Sequence, residues 1–354
     1  MRGFIILLAC LLAAGAARAA ERTPALQKLV EDAAKQGEID LVWSQSTLGG
    51  TRGAAAFEAG LNKMFGTKLR IKFTPGPSMP TVGNEIAMRQ LAGQPAQTDA
   101  YIGFSRDLSD MVAKDLFRSV AWTGLMPARI TPAVVDANGT MVKTVTGLLG
   151  VTYNTALAPA KPEYLRDFLA PGWKGKIATT PYSAGFDVLA AKDLWGPEKA
   201  LDYARALSGQ IAGLIRCDDN ERIASGEFLA LVIDCGGSDI FNLTDHGAPI
   251  AHFTPRDFPM LSYYYLAVPK NAPHAAAGTL FVAFAATPEG QRIVWDGWHG
   301  DLHLYPESHM HQRVAEIEQR FGEKLHDIDI AWQMGNAQGR TVWRDINKVL
   351  AAGK

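Results

Sequence analysis

The sequence predicts an α/β protein of two lobes, each a mostly parallel sheet flanked by helices. Three observations carry this expectation. The chain has 354 residues, enough for two compact units at about 100–200 residues per domain. Strand-like and helix-like segments alternate along most of it, and strand–helix–strand runs of this length imply parallel strands. No internal repeat or low-complexity stretch interrupts the alternation. A composition of 47% hydrophobic and 20% charged residues excludes disordered and collagen-like chains. A formal charge of −1 carries no electrostatic footprint for nucleic acid.

Residues 1–20 read as a cleavable export signal. Arg2 supplies the positive start, Phe4 to Ala14 is apolar, and Ala17-Arg18-Ala19 offers a small-x-small cleavage site. The apolar run falls short of the roughly 20 residues that span a bilayer. Leu7-Leu8-Ala9-Cys10 faintly resembles a lipoprotein box, but only nine residues precede the cysteine. Export leaves Cys217 and Cys235 as an even pair in an oxidising compartment. Either they are bridged, closing a loop worth about 3 kcal/mol, or they pack as two buried thiols.

Leu26, Leu29, Val30 and Ala33 mark a first helix that ends near Gly37. Residues 39–43 form a strand and enter the polar turn Ser44 to Gly50, followed by a helix with Phe57, Leu61 and Phe65 on one face. Residues 69–73 alternate as the next strand, Met88 to Leu91 closes a helix, and 98–102 is a strand feeding Gly103-Phe104-Ser105-Arg106. A helix over 107–114 follows, and the Pro-, Gly- and Thr-rich stretch 122–138 reads as the crossover between lobes. Strands are expected over 147–153, 228–234 and 263–268. Helices are expected near 187–195, 197–207, 275–286 and 289–295.

Four phrases, in order over about 250 residues, carry a resemblance. They are Gly150-Val151-Thr152-Tyr153-Asn154-Thr155, Trp173-Lys174-Gly175-Lys176-Ile177-Ala178, Tyr265 through His274, and Ala283 to Gln291 with Thr287-Pro288-Glu289-Gly290-Gln291. Together they resemble periplasmic solute-binding proteins of ABC importers, near the ferric-iron, thiamine and phosphonate-type branch. The resemblance implies the type II periplasmic binding fold: two α/β lobes, a two-strand hinge, and ligand in the cleft. It implies a periplasmic, monomeric receptor without cofactor or enzymatic activity, whose partners are a small-molecule ligand and the permease and ATPase subunits of the inner membrane. The expected division is 1–20 signal, 21–125 plus about 256–300 first lobe, about 126–255 second lobe, and 301–354 a helical segment packing on both.

In such sheets ligands bind beyond the carboxyl ends of strands, where helix N-termini favour anions. Three turns have that position: Ser44, Ser46, Thr47 and Gly49; Ser105 and Arg106; and Thr179 to Gly185, with Thr180, Tyr182 and Ser183. Each hydroxyl also suits ordinary capping. Trp43, Tyr101, Tyr153 and Tyr182 are candidate cleft walls. Of Arg52, Arg106 and Arg216, Arg106 is favoured for a carboxylate or phosphate. The expected ligand is therefore an organic anion. A cation is the alternative, with Asp99, Asp187, Asp234 and Asp239 as its candidates.

The resemblance raises ferric iron, but Asp234-Cys235-Gly236-Gly237 stands where iron-binding relatives carry a tyrosine pair. Tyr263-Tyr264-Tyr265 reads as the strand returning to the first lobe, so Tyr264 faces away from its neighbours. His299, His303, His309 and His311 cluster near the C-terminal segment, but Pro306 breaks any helix that would align them as metal ligands. An exported enzyme is the competing class. The sequence holds no Gly-x-Ser-x-Gly, His-Glu-x-x-His or P-loop lysine. A sensor partner that presents ligand to a membrane receptor would use the same fold.

Overall fold

Thr23 opens the first helix, α1 (Pro24–Gln36), by accepting a hydrogen bond from the Leu26 amide. Gly37, at φ 78°, closes it. A left-handed glycine here satisfies the last carbonyls without a Cβ clash. The computed structural model describes residues 22–352, without the side chains of Ser238 and Asp239. The expected export signal and Cys10 lie outside the described residues. Among the described residues no helix is long and apolar enough to cross a membrane.

In the first lobe, β1 (Glu38–Ser44) and β2 (Arg70–Gly76) pair in parallel around α2 (Gly50–Phe65). β3 (Tyr101–Phe104) lies beside β1, held by the Asp99 amide on Asp40 O at 2.8 Å and the Trp43 indole on Ala100 O at 2.9 Å. α3 (Met79–Leu91) leads into β3, which runs into α4 (Ser105–Ala113). After the short α5 (Trp122–Leu125), β4 (Met141–Leu148) enters the sheet of β3, which is separate from the β1–β2 pair. β10 (Met260–Ala267) returns antiparallel to both β3 and β4. α10 (Ala275–Ala285), apolar on every face, and α11 (Pro288–Trp298) complete the lobe. Phe57 and Phe281, 4.9 Å apart, anchor its core. Truncating one such buried ring costs about 3–5 kcal/mol.

The second lobe has five strands in the order β7-β6-β8-β5-β9. They are β5 (Gly150–Asn154), β6 (Ile177–Thr179), β7 (Ile211–Leu214), β8 (Ala230–Asp234) and β9 (Ile250–Phe253). β6 is parallel to β7 and β8, whereas β5 is antiparallel to β8 and β9. α6 (Phe186–Leu189), α7 (Gly196–Ser208), α8 (Asn220–Ala224) and α9 (Ser238–Asp245) cover it. Side chains alternate across each strand. Ile177, Ala230 and Val232 therefore enter the larger core of this lobe, while Ala178 and Leu231 fill a smaller cluster on the other face.

The crossover expected at 122–138 is not there. Trp122, Leu125, Ile130 and Val134 sit in the core of the first lobe. Their side chains are large and apolar, and burying them outweighs the turn-forming composition around them. The chain first reaches the second sheet at Leu149, between β4 and β5. It returns over residues 254–259, and the Leu149 amide donates to Met260 O at 3.2 Å between the two crossings. The final segment spans both lobes. α12 (His309–Phe321) buries Met310 and Val314 in the first core, and β11 (His326–Ile328) pairs with β10. After α13 (Ile330–Gly335), α14 (Ala337–Ala352) buries Ile346 and Leu350 in the second core.

Candidate functional site

Strands β1, β3 and β8 end toward one hollow of about 710 Å³, walled by both lobes. Its first-lobe wall begins at Ser44, Ser46 and Thr47. The Ser44 and Thr47 hydroxyls lie 2.6 Å apart. Leu48, Gly49 and Gly50 then take positive φ in succession (48°, 83° and 58°), and this tight turn aims the hydroxyls inward. Gly50 is required there, because a Cβ would fall 2.2 Å from Gln45 O. Gly49, expected at the ligand, is instead off the wall. Its Cα faces the Gly297 backbone, where a Cβ would lie 2.9 Å away, so it serves the packing of the turn on α11.

At the end of β3, Phe104, Arg106 and Asp107 reach the hollow. The Arg106 guanidinium contacts Asp107 at 3.2 Å. Burial works against its charge, but Asp107 and Asp187 outweigh that and raise its pKa above the ordinary arginine value. Ser105, expected beside it, points into the protein, where its hydroxyl meets Ser262 Oγ at 2.6 Å. The reason is parity: the first residue of α4 faces β10 while the next faces the cleft. Of the other arginines, Arg216 is on the wall and is held by Asp218 at 2.8 Å. Arg52 is exposed and off it.

In the second lobe, Tyr182 is on the wall, whereas Thr180 and Ser183 are behind it. The Thr180 hydroxyl donates to the Tyr182 carbonyl, and the Ser183 carbonyl accepts from Phe186 N at 2.7 Å, so these residues shape the turn that presents the ring. The Tyr182 hydroxyl accepts from Cys217 N at 2.8 Å, and burial raises its pKa. Cys217 and Cys235 are bridged and form part of the same wall. Tyr153 is off it. It turns into the second core against Phe253, 5.8 Å away, because the opposite face of β5 carries Thr152 toward Asp234. Trp43 and Tyr101, also candidate walls, are fully buried core residues.

Asp234 lines the hollow with both oxygens engaged. Oδ1 accepts from Gly236 N at 3.0 Å and pairs with His252 Nε2 at 3.2 Å, while Oδ2 accepts from the Thr152 hydroxyl. Burial pushes its pKa up, but His252 and these donors prevail and hold it below the ordinary carboxylate value. Ile233, at φ 58°, forms the bulge that delivers it. A β-branched residue in this region is strained, and such strain concentrates at ligand sites.

Several wall residues were not expected there. Tyr264 stands between Phe104 and Trp298, with ring centroids 4.9 and 4.8 Å away. The alternation of Tyr263, Tyr264 and Tyr265 already set it apart, and its neighbours are fully buried. Trp298 and Gln333 arrive from distant helices with no local signal. Asn220, also unexpected, lines the hollow at 4% exposure, and so does Asp187, one of the acids considered for a cation, at 2%. Asp99, the other acid considered for a cation, lies outside the hollow and accepts from His274 N at 2.7 Å; the side chain of Asp239 is outside the described part.

Among the described residues, the one His/Cys/Asp/Glu group with metal-like spacing is Glu38, Asp40 and His274, away from the hollow. Three of the four clustered C-terminal histidines are held in local hydrogen bonds. His303 meets Thr146 Oγ1 at 2.9 Å, His309 meets Asp301 at 3.0 Å, and His311 meets His303 O at 2.9 Å.

A family model described as bacterial extracellular solute-binding protein matches residues 54–307. No curated protein matches the chain. Among solved structures, the substrate-binding protein of an ABC transporter from Agrobacterium tumefaciens is 17% identical. The match covers 88% of this chain and 94% of that one, with a TM-score of 0.71. Iron-bound HitA from Pseudomonas aeruginosa is 15% identical, over 87% and 99% of the two chains, at 0.66. AfuA from Actinobacillus pleuropneumoniae, with fructose-6-phosphate bound, is 18% identical over 88% and 97%, at 0.63. At these identities the likeness is one of fold, the type II periplasmic binding fold.

Proposed function

The chain belongs to the bacterial extracellular solute-binding proteins, and from that membership we propose that it is the periplasmic receptor of an ABC importer. It captures a small organic solute between its lobes and delivers it to the membrane permease and ATPase subunits. One observation carries this reading: the 710 Å³ hollow takes its walls from both lobes. A ligand touching both walls binds the closed form better than the open one, and that difference drives closure. The volume lies in the range of sites for small organic molecules. Arg106, with the Ser44, Ser46 and Thr47 hydroxyls, supplies the donors for an anionic group. We place the first lobe on the sheet containing β10 and the second on the sheet containing β5, with Leu149 and residues 254–259 as the hinge.

HitA is described with iron and AfuA with a sugar phosphate, so the fold alone does not choose the ligand. The wall supports an organic one. Asp234 has both oxygens occupied, and Tyr264 sits in an aromatic wall. Native mass spectrometry of protein purified from the periplasm, before and after denaturation, tests this. One organic mass per chain is expected; stoichiometric iron would overturn the organic ligand.

A further inference from the structure

Among the described residues, every lining side chain with a buried atom that lacks a protein hydrogen-bond partner presents an acceptor. These atoms are Asp187 Oδ2, Asn220 Oδ1 and Gln333 Oε1, on residues exposed by 2%, 4% and 1%. Asn220 and Gln333 are amides, which turn to present either end. A carboxylate has no such choice. A buried charge without a donor is strongly unfavourable, so Asp187 sets the demand on the ligand: hydrogen-bond donors, and positive charge.

Across the hollow Arg106 makes the opposite demand. Among the described residues its sole carboxylate contact is the adjacent Asp107, and the charges of Arg106 and Asp187 act on one another without meeting in an ion pair. A ligand bearing only an anion would satisfy Arg106 and add a second negative charge near Asp187. A ligand bearing only a cation would reverse the fault.

Resting on the receptor reading above, we propose that the ligand has a zwitterionic head, its acid group on Arg106 and its protonated amine on Asp187, with Asn220 and Gln333 around the amine. The rest of the molecule lies along Phe104, Tyr264 and Trp298, so it is apolar or aromatic. Because Arg106 belongs to the first lobe and Asp187 to the second, the head group ties the lobes together when both ends are held.

Calorimetry with two matched sets tests this: phenylalanine, 3-phenylpropanoate and phenethylamine; leucine, 4-methylpentanoate and isoamylamine. In at least one set the amino acid should bind tenfold or more tighter than both relatives. Asp187→Asn should erase its advantage over the acid, and Arg106→Gln its advantage over the amine. Asn220→Ala, expected to lower affinity for the amino acid but not the acid, serves if Asp187→Asn does not fold. An acid that binds the wild type as tightly as its amino acid, or an unchanged ratio in Asp187→Asn, overturns the proposal. If none of the six binds, the molecule released from periplasmic protein decides. A molecule with both amine and acid groups supports the zwitterion, and one lacking either overturns it. A protein that releases nothing and binds nothing overturns the receptor reading itself.

Discussion

Two carboxylates on the same cleft have opposite situations. At the end of β8, Asp234 is surrounded by donors from Gly236, His252 and Thr152. In the first turn of α6, Asp187 keeps an oxygen that no group among the described residues satisfies. Both are nearly buried, at 3% and 2% exposure, so burial does not distinguish them. The difference is in the supply of donors. A saturated carboxylate holds the wall together and has little left to offer a ligand; an unsaturated one is costly until a ligand arrives. On the proposed reading, Asp234, an expected ligand residue, serves the architecture of the site and Asp187 its recognition.

The largest expected effect would sharpen that contrast. Asp234→Ala removes one member of a buried pair and strands His252, a kind of change that costs about 3–5 kcal/mol. Urea denaturation of the ligand-free protein reads this directly. Asp187→Asn should leave ligand-free stability within about 0.5 kcal/mol or raise it, since it removes an unpaired buried charge. Equal losses in the two variants would break the distinction. Next in size is the Cys217–Cys235 bridge, which closes an 18-residue separation. Replacing both cysteines with serine should cost about 3 kcal/mol, and the loosened wall should also weaken ligand binding. Unchanged stability in the double variant would show that the packing around β8, and not the bridge, fixes Asp234.

These cases show how far the residues themselves announce the fold and site. The alternation of strands and helices places β1, α2, β2 and β8 to within a few residues, because each buries one face at a regular period. The crossing at Leu149 is invisible to that reasoning. Residues 122–138 have a loop's composition but bury Trp122, Ile130 and Val134, and only their tertiary partners reveal it. In the cleft, Ser44, Ser46, Thr47, Arg106 and Tyr182 follow from one rule, polar residues just beyond strand ends. Ser105, Thr180 and Ser183 satisfy the same rule and turn inward, since one residue of offset reverses a side chain. Trp298 and Gln333 come from helices far along the chain, where no local pattern connects them to the cleft. Whether a carboxylate is saturated depends on donors such as His252, 18 residues from Asp234, and composition is silent about that.

A smaller effect separates recognition from architecture on the first-lobe side. Arg106→Gln should weaken the natural ligand by about 1.5–3 kcal/mol, the range for a hydrogen bond to a charged group. The hydroxyl pair Ser105–Ser262 next to it should not affect affinity. Ser105→Ala should lower stability by about 1 kcal/mol through the lost buried bond and leave the dissociation constant unchanged. If Ser105→Ala weakens binding as much as Arg106→Gln, Ser105 belongs to the wall.

The smallest expected effect concerns pH, where Asp234 has to be told apart from His303. Asp234 has a folded pKa below its ordinary value of 3.8. Its contribution is therefore complete above about pH 4 and fades only as pH falls through the lower folded value. His303 behaves differently. Burial first, then Lys143, lowers its pKa from 6.5 to about 4, while its ring meets Thr146 and stacks on Tyr263 at 6.0 Å. Below pH 6.5 the unfolded chain takes up a proton there that the folded chain refuses until about pH 4. Stability should thus decline across that window as pH falls, by about 1 kcal/mol at pH 5 after allowing for solvent screening. His303→Gln should flatten the decline between pH 7 and pH 5 while leaving the steeper loss below pH 4 in place. If the variant melts with the same pH dependence as the wild type over that window, the early loss has another source, and the assignment of the acid limb to Asp234 must be tested again with Asp234→Asn.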